Sequence, residues 1–302
     1  MKSGKAMSIN PSNPYNYKSI QPTQVVPVPN RQSSPMPTVA RQPAQTKKNE
    51  PSFSLPWALA GMATLLVGIG VVAFRKDKAK QIEKLPETLE AIFGKSYTPE
   101  ETKGMVTTYQ DLMKIEDQKT FIERAYQQIK MDMGLEDVKI PLKIIKTEKG
   151  MENNTKVGGR ASWVSVSIAE DVLRHQILDS IAHELNHVRQ NRELLQAGFL
   201  GEYVKDCLKK KFPKGVKNYK EIEAELCREL EASFSDIYGN VRKPSIQKGT
   251  PRYQKAEEYL KAHKSYDTTT LEAYHNNLLE IESHAVGRAM RRFVKTIKLY
   301  NL

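Results

Sequence analysis

Polar and apolar positions divide this chain into three stretches. Residues 1–54 hold few large apolar side chains and are rich in Pro, Ser, Asn and Gln. Nine of the sixteen prolines fall there, so too little apolar surface exists to offset ordering entropy, and a disordered tail is predicted. Residues 55–74, LPWALAGMATLLVGIGVVAF, form an uncharged run of twenty, the length of a helix crossing a bilayer core. From Pro86 onward the pattern is that of a globular region. Thr98, Pro99 and Glu101 form a helix start of the capping-box type, continued by Met105, Tyr109, Leu112 and Met113. A helix over 118–133 runs through Phe121, Ala125 and Ile129 and stops at Gly134. Val138, Ile140, Leu142 and Ile144 then alternate as in a strand. Residues 149–160 are polar, with Gly150, Gly158 and Gly159, and read as a loop or hairpin connection. A second strand over 163–168 alternates Trp163, Ser165 and Ser167 with Val164, Val166 and Ile168. The next helix, 171–191, buries Val172, Ile177, Ile181, Leu185 and Val188. Beyond it the periodicity predicts helices at 219–238 and 253–263 and one long helix over 271–300. The fold class is α+β, mostly helical, with a small sheet before the 171–191 helix. The predicted organisation is a tail (1–54), a transmembrane helix (55–74), a juxtamembrane linker (75–97) and a folded domain (98–302).

Charge sharpens this organisation. The net +12 is shared equally, +6 in residues 1–54 and +6 in the rest. No dense basic stripe with interleaved aromatics marks a nucleic-acid surface, so no nucleic-acid partner is expected. The excess instead suits solubility or a nearby anionic lipid surface. Trp57 stands near one end of the apolar run, where an interface would lie. Arg41, Lys47 and Lys48 precede the run, and Arg75, Lys76, Lys78, Lys80 and Lys84 follow it. That asymmetry predicts a single-pass protein with its C-terminal domain in the cytoplasm and the bilayer as a partner through 55–74. A buried core helix is the rival reading of the run, disfavoured by hydrophobicity on all sides next to a polar tail. Cys207 and Cys227 are too few for a disulfide framework and show no C-x-x-C spacing, so two free thiols are expected.

The chemistry concentrates in His183-Glu184-Leu185-Asn186-His187, an H-E-x-x-H within the 171–191 helix. Four residues apart on a helix, the two histidines share one face. Imidazoles at that spacing can grip one zinc ion, with Glu184 placed as general base toward a water. The reaction this proposes is hydrolysis of a peptide bond in a protein or peptide substrate. Hydrolytic zinc needs a third protein ligand. Two stretches offer one: Glu280-Ile281-Glu282-Ser283-His284 and Glu221-Ile222-Glu223-Ala224-Glu225, with Glu231 a further option. A di-iron bundle formally matches through Glu184-x-x-His187 and Glu272-x-x-His275 but leaves His183 without a role. His175 reads as a surface residue. Asp179, one turn before His183, could orient it or be solvated. Tyr266, Tyr274 and His275 are candidates to stabilise an oxyanion.

A helix-borne H-E-x-x-H followed by a downstream E-x-x-[small]-[acid or polar] resembles the gluzincin-type zinc metallopeptidases. The run Asn277-x-x-Glu280-x-Glu282-Ser283 is similar to the N-x-x-E-x-E-A pattern of minimal bacterial and phage-type gluzincin domains. The resemblance covers roughly residues 160–290. It implies a zincin-like fold, a Zn2+ cofactor, His183, His187 and Glu280 as metal ligands, Glu184 as the catalytic base and His284 as a group behind a ligand histidine. Position 284 carries histidine where several related families carry aspartate. A third histidine six residues after His187, the metzincin pattern, is replaced by Glu193. The strand near Trp163–Ile168 is where such enzymes pair with an extended substrate. The competing class is a membrane-tethered scaffold or binding module whose metal site is structural or vestigial.

Overall fold

A computed structural model describes residues 82–149, 156–212, 218–239, 241, 243–267 and 270–299. The predicted tail and membrane span lie outside the described residues. Among the described residues no helix is long and apolar enough to cross a membrane.

Three helices open the domain: α1 (Leu85–Phe93), α2 (Pro99–Lys114) and α3 (Gln118–Asp132). The capping box that starts α2 is present in both directions: the Glu101 N–H donates to Thr98 Oγ1 (3.2 Å) and the Thr98 N–H to Glu101 Oε2 (2.7 Å). Gly134, at φ +66°, follows the end of α3 as predicted. Helix α1 corrects the expected 75–97 linker. Its Leu85, Leu89, Ile92 and Phe93 are buried in the core, each worth roughly 1.5–3 kcal/mol of transfer free energy.

Five short strands follow: β1 (Leu142–Ile145), β2 (Glu148–Lys149), β3 (Lys156–Val157), β4 (Gly159–Ala161) and β5 (Val166–Ala169). β2 and β3 pair as an antiparallel ribbon. The main sheet has the order β1-β5-β4, with β5 parallel to β1 (Leu142 opposite Val166) and antiparallel to β4 (Ala161 opposite Val166). The predicted first strand therefore begins later than Val138. Val138 and Ile140 are buried, but their segment bonds elsewhere: Tyr126 Oη donates to the Ile140 carbonyl and the Lys139 N–H to that of Ile237. The predicted second strand likewise shortens to Val166–Ala169, because Ser162 and Ser165 close a local turn. β5 is central, with both edges paired. It cannot receive a substrate strand; the edges of the sheet are β1 and β4, and β4 is the one beside Glu184.

The remaining elements are helical: α4 (Arg174–Gln196), α5 (Leu200–Lys211), α6 (Tyr219–Tyr238), α7 (Pro251–Lys264), α8 (Leu271–His275) and α9 (Leu278–Leu299). α4 starts later than expected because Asp171 accepts the Thr147 N–H and hydroxyl, tying it to the sheet. It runs beyond Asn191 because Leu194 and Leu195 continue its buried face. Ile177, Ile181, Leu185 and Val188 are fully buried, as its periodicity predicts. The single helix expected over 271–300 is broken. Buried Asn277 accepts the Leu279 N–H (3.0 Å) and donates to the Ala262 carbonyl (2.9 Å). That cap starts α9 afresh and anchors it to the end of α7.

α4 and α9 pack directly against each other. At their contact a Cβ on Gly287 would run into the Asp179 carboxylate, which is paired with Arg291. The core continues beneath α9, where Tyr109 meets Phe293 edge to face at 5.2 Å. Cys207 and Cys227 are free and half-buried. Burial raises both thiols, which makes them poor nucleophiles.

Candidate metal centre

The pitch of α4 places His183 and His187 one turn apart, facing α9, and the Asn277 cap sets Glu280 in the first turn of α9 opposite them. The two Nε2 atoms are 3.1 Å apart. Each meets a different oxygen of Glu280: His183 Nε2 lies 3.4 Å from Oε2, and His187 Nε2 lies 3.4 Å from Oε1. Donors about 2.0–2.1 Å from one tetrahedral ion stand about 3.3 Å from each other. The spacings are therefore those of ligands to a single small cation. The side chains are 12 %, 16 % and 2 % exposed for His183, His187 and Glu280.

The polar accounting points the same way. Glu280 Oε2 is buried without a hydrogen-bond donor among the described residues, which is costly for a carboxylate unless a cation satisfies it. Around His187 the tautomer can be deduced. Gln190 Nε2 donates to the Leu279 carbonyl at 3.1 Å, so Gln190 Oε1 faces His187 Nδ1 as an acceptor at 3.0 Å. Nδ1 must then carry a proton, which leaves Nε2, the atom facing Glu280, as the position that either donates to the carboxylate or, deprotonated, ligates a metal. Ser283 Oγ, which receives Asn186 Nδ2, also lies 3.2 Å from His187 Nδ1. Burial disfavours charge on His187, but the hydrogen bond and charge of Glu280 outweigh it and raise the imidazole to about 9 in the metal-free protein. Burial likewise opposes ionisation of Glu280, yet the His183 and His187 imidazoles 3.4 Å away and the Tyr266 hydroxyl hold its carboxyl far below the usual range. This is a carboxylate built to stay ionised between two imidazoles.

Glu184 sits beside this trio. Its carboxylate and the ring nitrogens of His183 and His187 lie within 4.8 Å of one another. Burial raises its pKa, offset in part by the histidines and by the Ala161 N–H, which donates to it from edge strand β4. Gly159 permits this approach. A Cβ there would come within 3.0 Å of Glu184 Cγ and 3.1 Å of its Oε1.

The other candidates are sorted by position. Tyr266 Oη donates to Glu280 Oε1 at 2.6 Å. Tyr274 lies by the same carboxylate, its hydroxyl pushed up by burial and then by the Glu280 charge. His284 does not back a ligand histidine by a hydrogen bond. Its ring lies 4.6 Å from that of His183, and its Nε2 is 3.1 Å from His275 Nδ1. Burial, then His183, lowers its pKa to about 4. Glu282 accepts from Tyr259 and pairs with Lys255. Among the described residues Glu221, Glu231 and Glu272 join no metal-ligating cluster. Asp179 pairs with Arg291 rather than orienting His183. His175 stands half-buried in the first turn of α4. Sequence reasoning missed Gly159 and Gln190. The i,i+3 spacing of Gln190 from His187 was available as a signal, whereas Gly159 looked like any loop glycine.

No protein-family model matches the chain, and no curated protein or solved structure matches it. The site is thus read from its own geometry.

Proposed function

We propose that the chain is a membrane-anchored, zinc-dependent metallopeptidase of the gluzincin type, with His183, His187 and Glu280 as metal ligands and Glu184 as general base. The observation that carries the reading is the convergence of two imidazole nitrogens and an undonated buried carboxylate oxygen, with a second carboxylate beside them. Nitrogen and oxygen donors at these spacings suit zinc among divalent ions. When bound, such an ion acts as a Lewis acid that acidifies water and polarises a carbonyl. The residues do the rest. Glu184, held by Gly159 and the Ala161 N–H, accepts the proton of the attacking water and returns it to the leaving amine. The free edge of β4 pairs with an extended peptide and leads its backbone past Glu184. Tyr266 steadies Glu280. Anchoring through 55–74, with the domain in the cytoplasm, completes the proposal.

A second reading has one observation in its favour. His183, Glu280 and His284 also offer ligand atoms within 4.8 Å of one another, so a closed, four-ligand structural site would make the protein a scaffold. Zinc content and hydrolysis of an unstructured protein substrate separate the two. The purified full chain should carry zinc, lost in His183→Ala. Glu184→Gln should keep the metal and lose activity by on the order of 10²–10⁴-fold. An unchanged metal content in His183→Ala, or an active Glu184→Gln, would overturn the peptidase reading.

A further inference from the structure

We propose that His275 and His284 form a second divalent-cation site at the exposed end of the cleft, next to the position framed by His183, His187 and Glu280. The two rings come from different elements. His275 is the last residue of α8, and His284 lies one turn beyond Glu280 on α9. Their facing nitrogens, Nδ1 and Nε2, are 3.1 Å apart, the same separation as in the His183–His187 pair. Ring centroids are 5.0 Å apart at a 48° tilt, so both nitrogens can be aimed at one point between them.

A third donor is at hand. The ligand atoms of His284, Glu280 and His183 lie within 4.8 Å of one another, and Glu280 Oε2 has no hydrogen-bond donor. Glu280 Oε2 faces His183 and Oε1 faces His187, and an oxygen of the same carboxylate lies within 4.8 Å of a His284 ring nitrogen. A carboxylate so placed can bridge two cations, which in paired sites stand about 3.5–4 Å apart. Two imidazoles and a shared carboxylate select borderline ions such as zinc rather than calcium or magnesium. His275 is exposed, so the second ion has a path from solvent and keeps water ligands. It binds more weakly than the first. The bland alternative is a plain N–H···N hydrogen bond that holds α8 to α9.

The inference rests on the metallopeptidase reading only in sharing Glu280, and its test reads metal rather than activity. All six histidines lie among the described residues, and residues 1–81 contain neither His nor Cys, so the tail offers no competing imidazole or thiol. The full chain is stripped with a chelator and titrated with Zn2+ against a chromophoric chelator. The wild type should bind two ions, the second at least tenfold weaker. His275→Ala and His284→Ala should each abolish the weak event and leave the tight one. A wild type that binds one ion overturns the second site, as does a weak event indifferent to His275→Ala. Loss of tight binding in His284→Ala also overturns it, since His284 would then be a fourth ligand of the first ion. Persistence of tight binding in His183→Ala counts against the peptidase centre alone.

Discussion

Two histidine pairs in this molecule share one nitrogen–nitrogen distance, 3.1 Å, and reach it by different routes. His183 and His187 sit on a single helix, so helical pitch alone brings them together. They are mostly covered, at 12 % and 16 % exposed; Gln190 and Ser283 bracket His187 Nδ1, and Glu280 faces both Nε2 atoms. His275 and His284 meet only because α8 ends and α9 begins at a capped break. His275 is exposed and His284 half-buried against the His183 ring, and among the described residues no hydrogen bond comparable to that of Gln190 orients either ring. Covalent spacing on a rigid element gives preorganisation at no cost in tertiary structure, while a pair made by two elements is only as firm as their packing.

The contrast can be broken most strongly from β4. In Gly159→Val the new side chain collides with Glu184 and displaces the base, while both histidine pairs are untouched. Peptidase activity should fall by on the order of 10²-fold, with zinc stoichiometry unchanged by metal analysis. Tyr266→Phe removes the donor to Glu280 Oε1 and should weaken tight zinc binding by about 10- to 100-fold. It should weaken the weak event less than the tight one, because Glu280 is the only donor of the second site that the hydroxyl touches.

A third kind of histidine sharpens the comparison. His263 packs against Trp163 and Tyr203, and its Nε2 is buried without a partner among the described residues. Burial lowers its pKa to about 3. Below pH 6.5 the unfolded chain therefore takes up a proton that the folded chain refuses, and stability falls as pH drops from 6.5 toward 3. At pH 5 the loss is at most about 2 kcal/mol. Urea midpoints at pH 7.5 and 5.0 should differ less in His263→Phe than in the wild type. The smallest effect is at the helix contact. Gly287→Ala pushes the Asp179 carboxylate away from Arg291 and should cost about 1 kcal/mol in thermal or urea unfolding. It should loosen the pair that faces across α4 and α9 more than the pair at the rim.

Much of the helical framework was legible in periodicity and caps. The Thr98–Glu101 box, the stop at Gly134 and the bounds of α6 at Tyr219 and Tyr238 match expectation, because each depends on residues within a few positions of one another. The failures lie where distant groups compete for the backbone. Val138 and Ile140 alternate like a strand, but Tyr126 and Ile237 claim their segment. Residues 271–300 are periodic throughout, yet Asn277 bonds to Ala262 and divides them. α1 looked like a linker because its four core residues show their purpose only against α9.

For the site, the sequence by itself determined the His183–Glu184–His187 geometry, since any α-helix through those residues puts both imidazoles on one face with the carboxylate beside them. It narrowed the third partner to a few glutamates without deciding among equals by spacing. Only the tertiary structure brought Glu280 to within 3.4 Å of both nitrogens, put Tyr266 on its back and set Gly159 against the base. Contacts between elements far apart in the chain depend on how α4, α9 and β4 pack, and no local pattern records that packing.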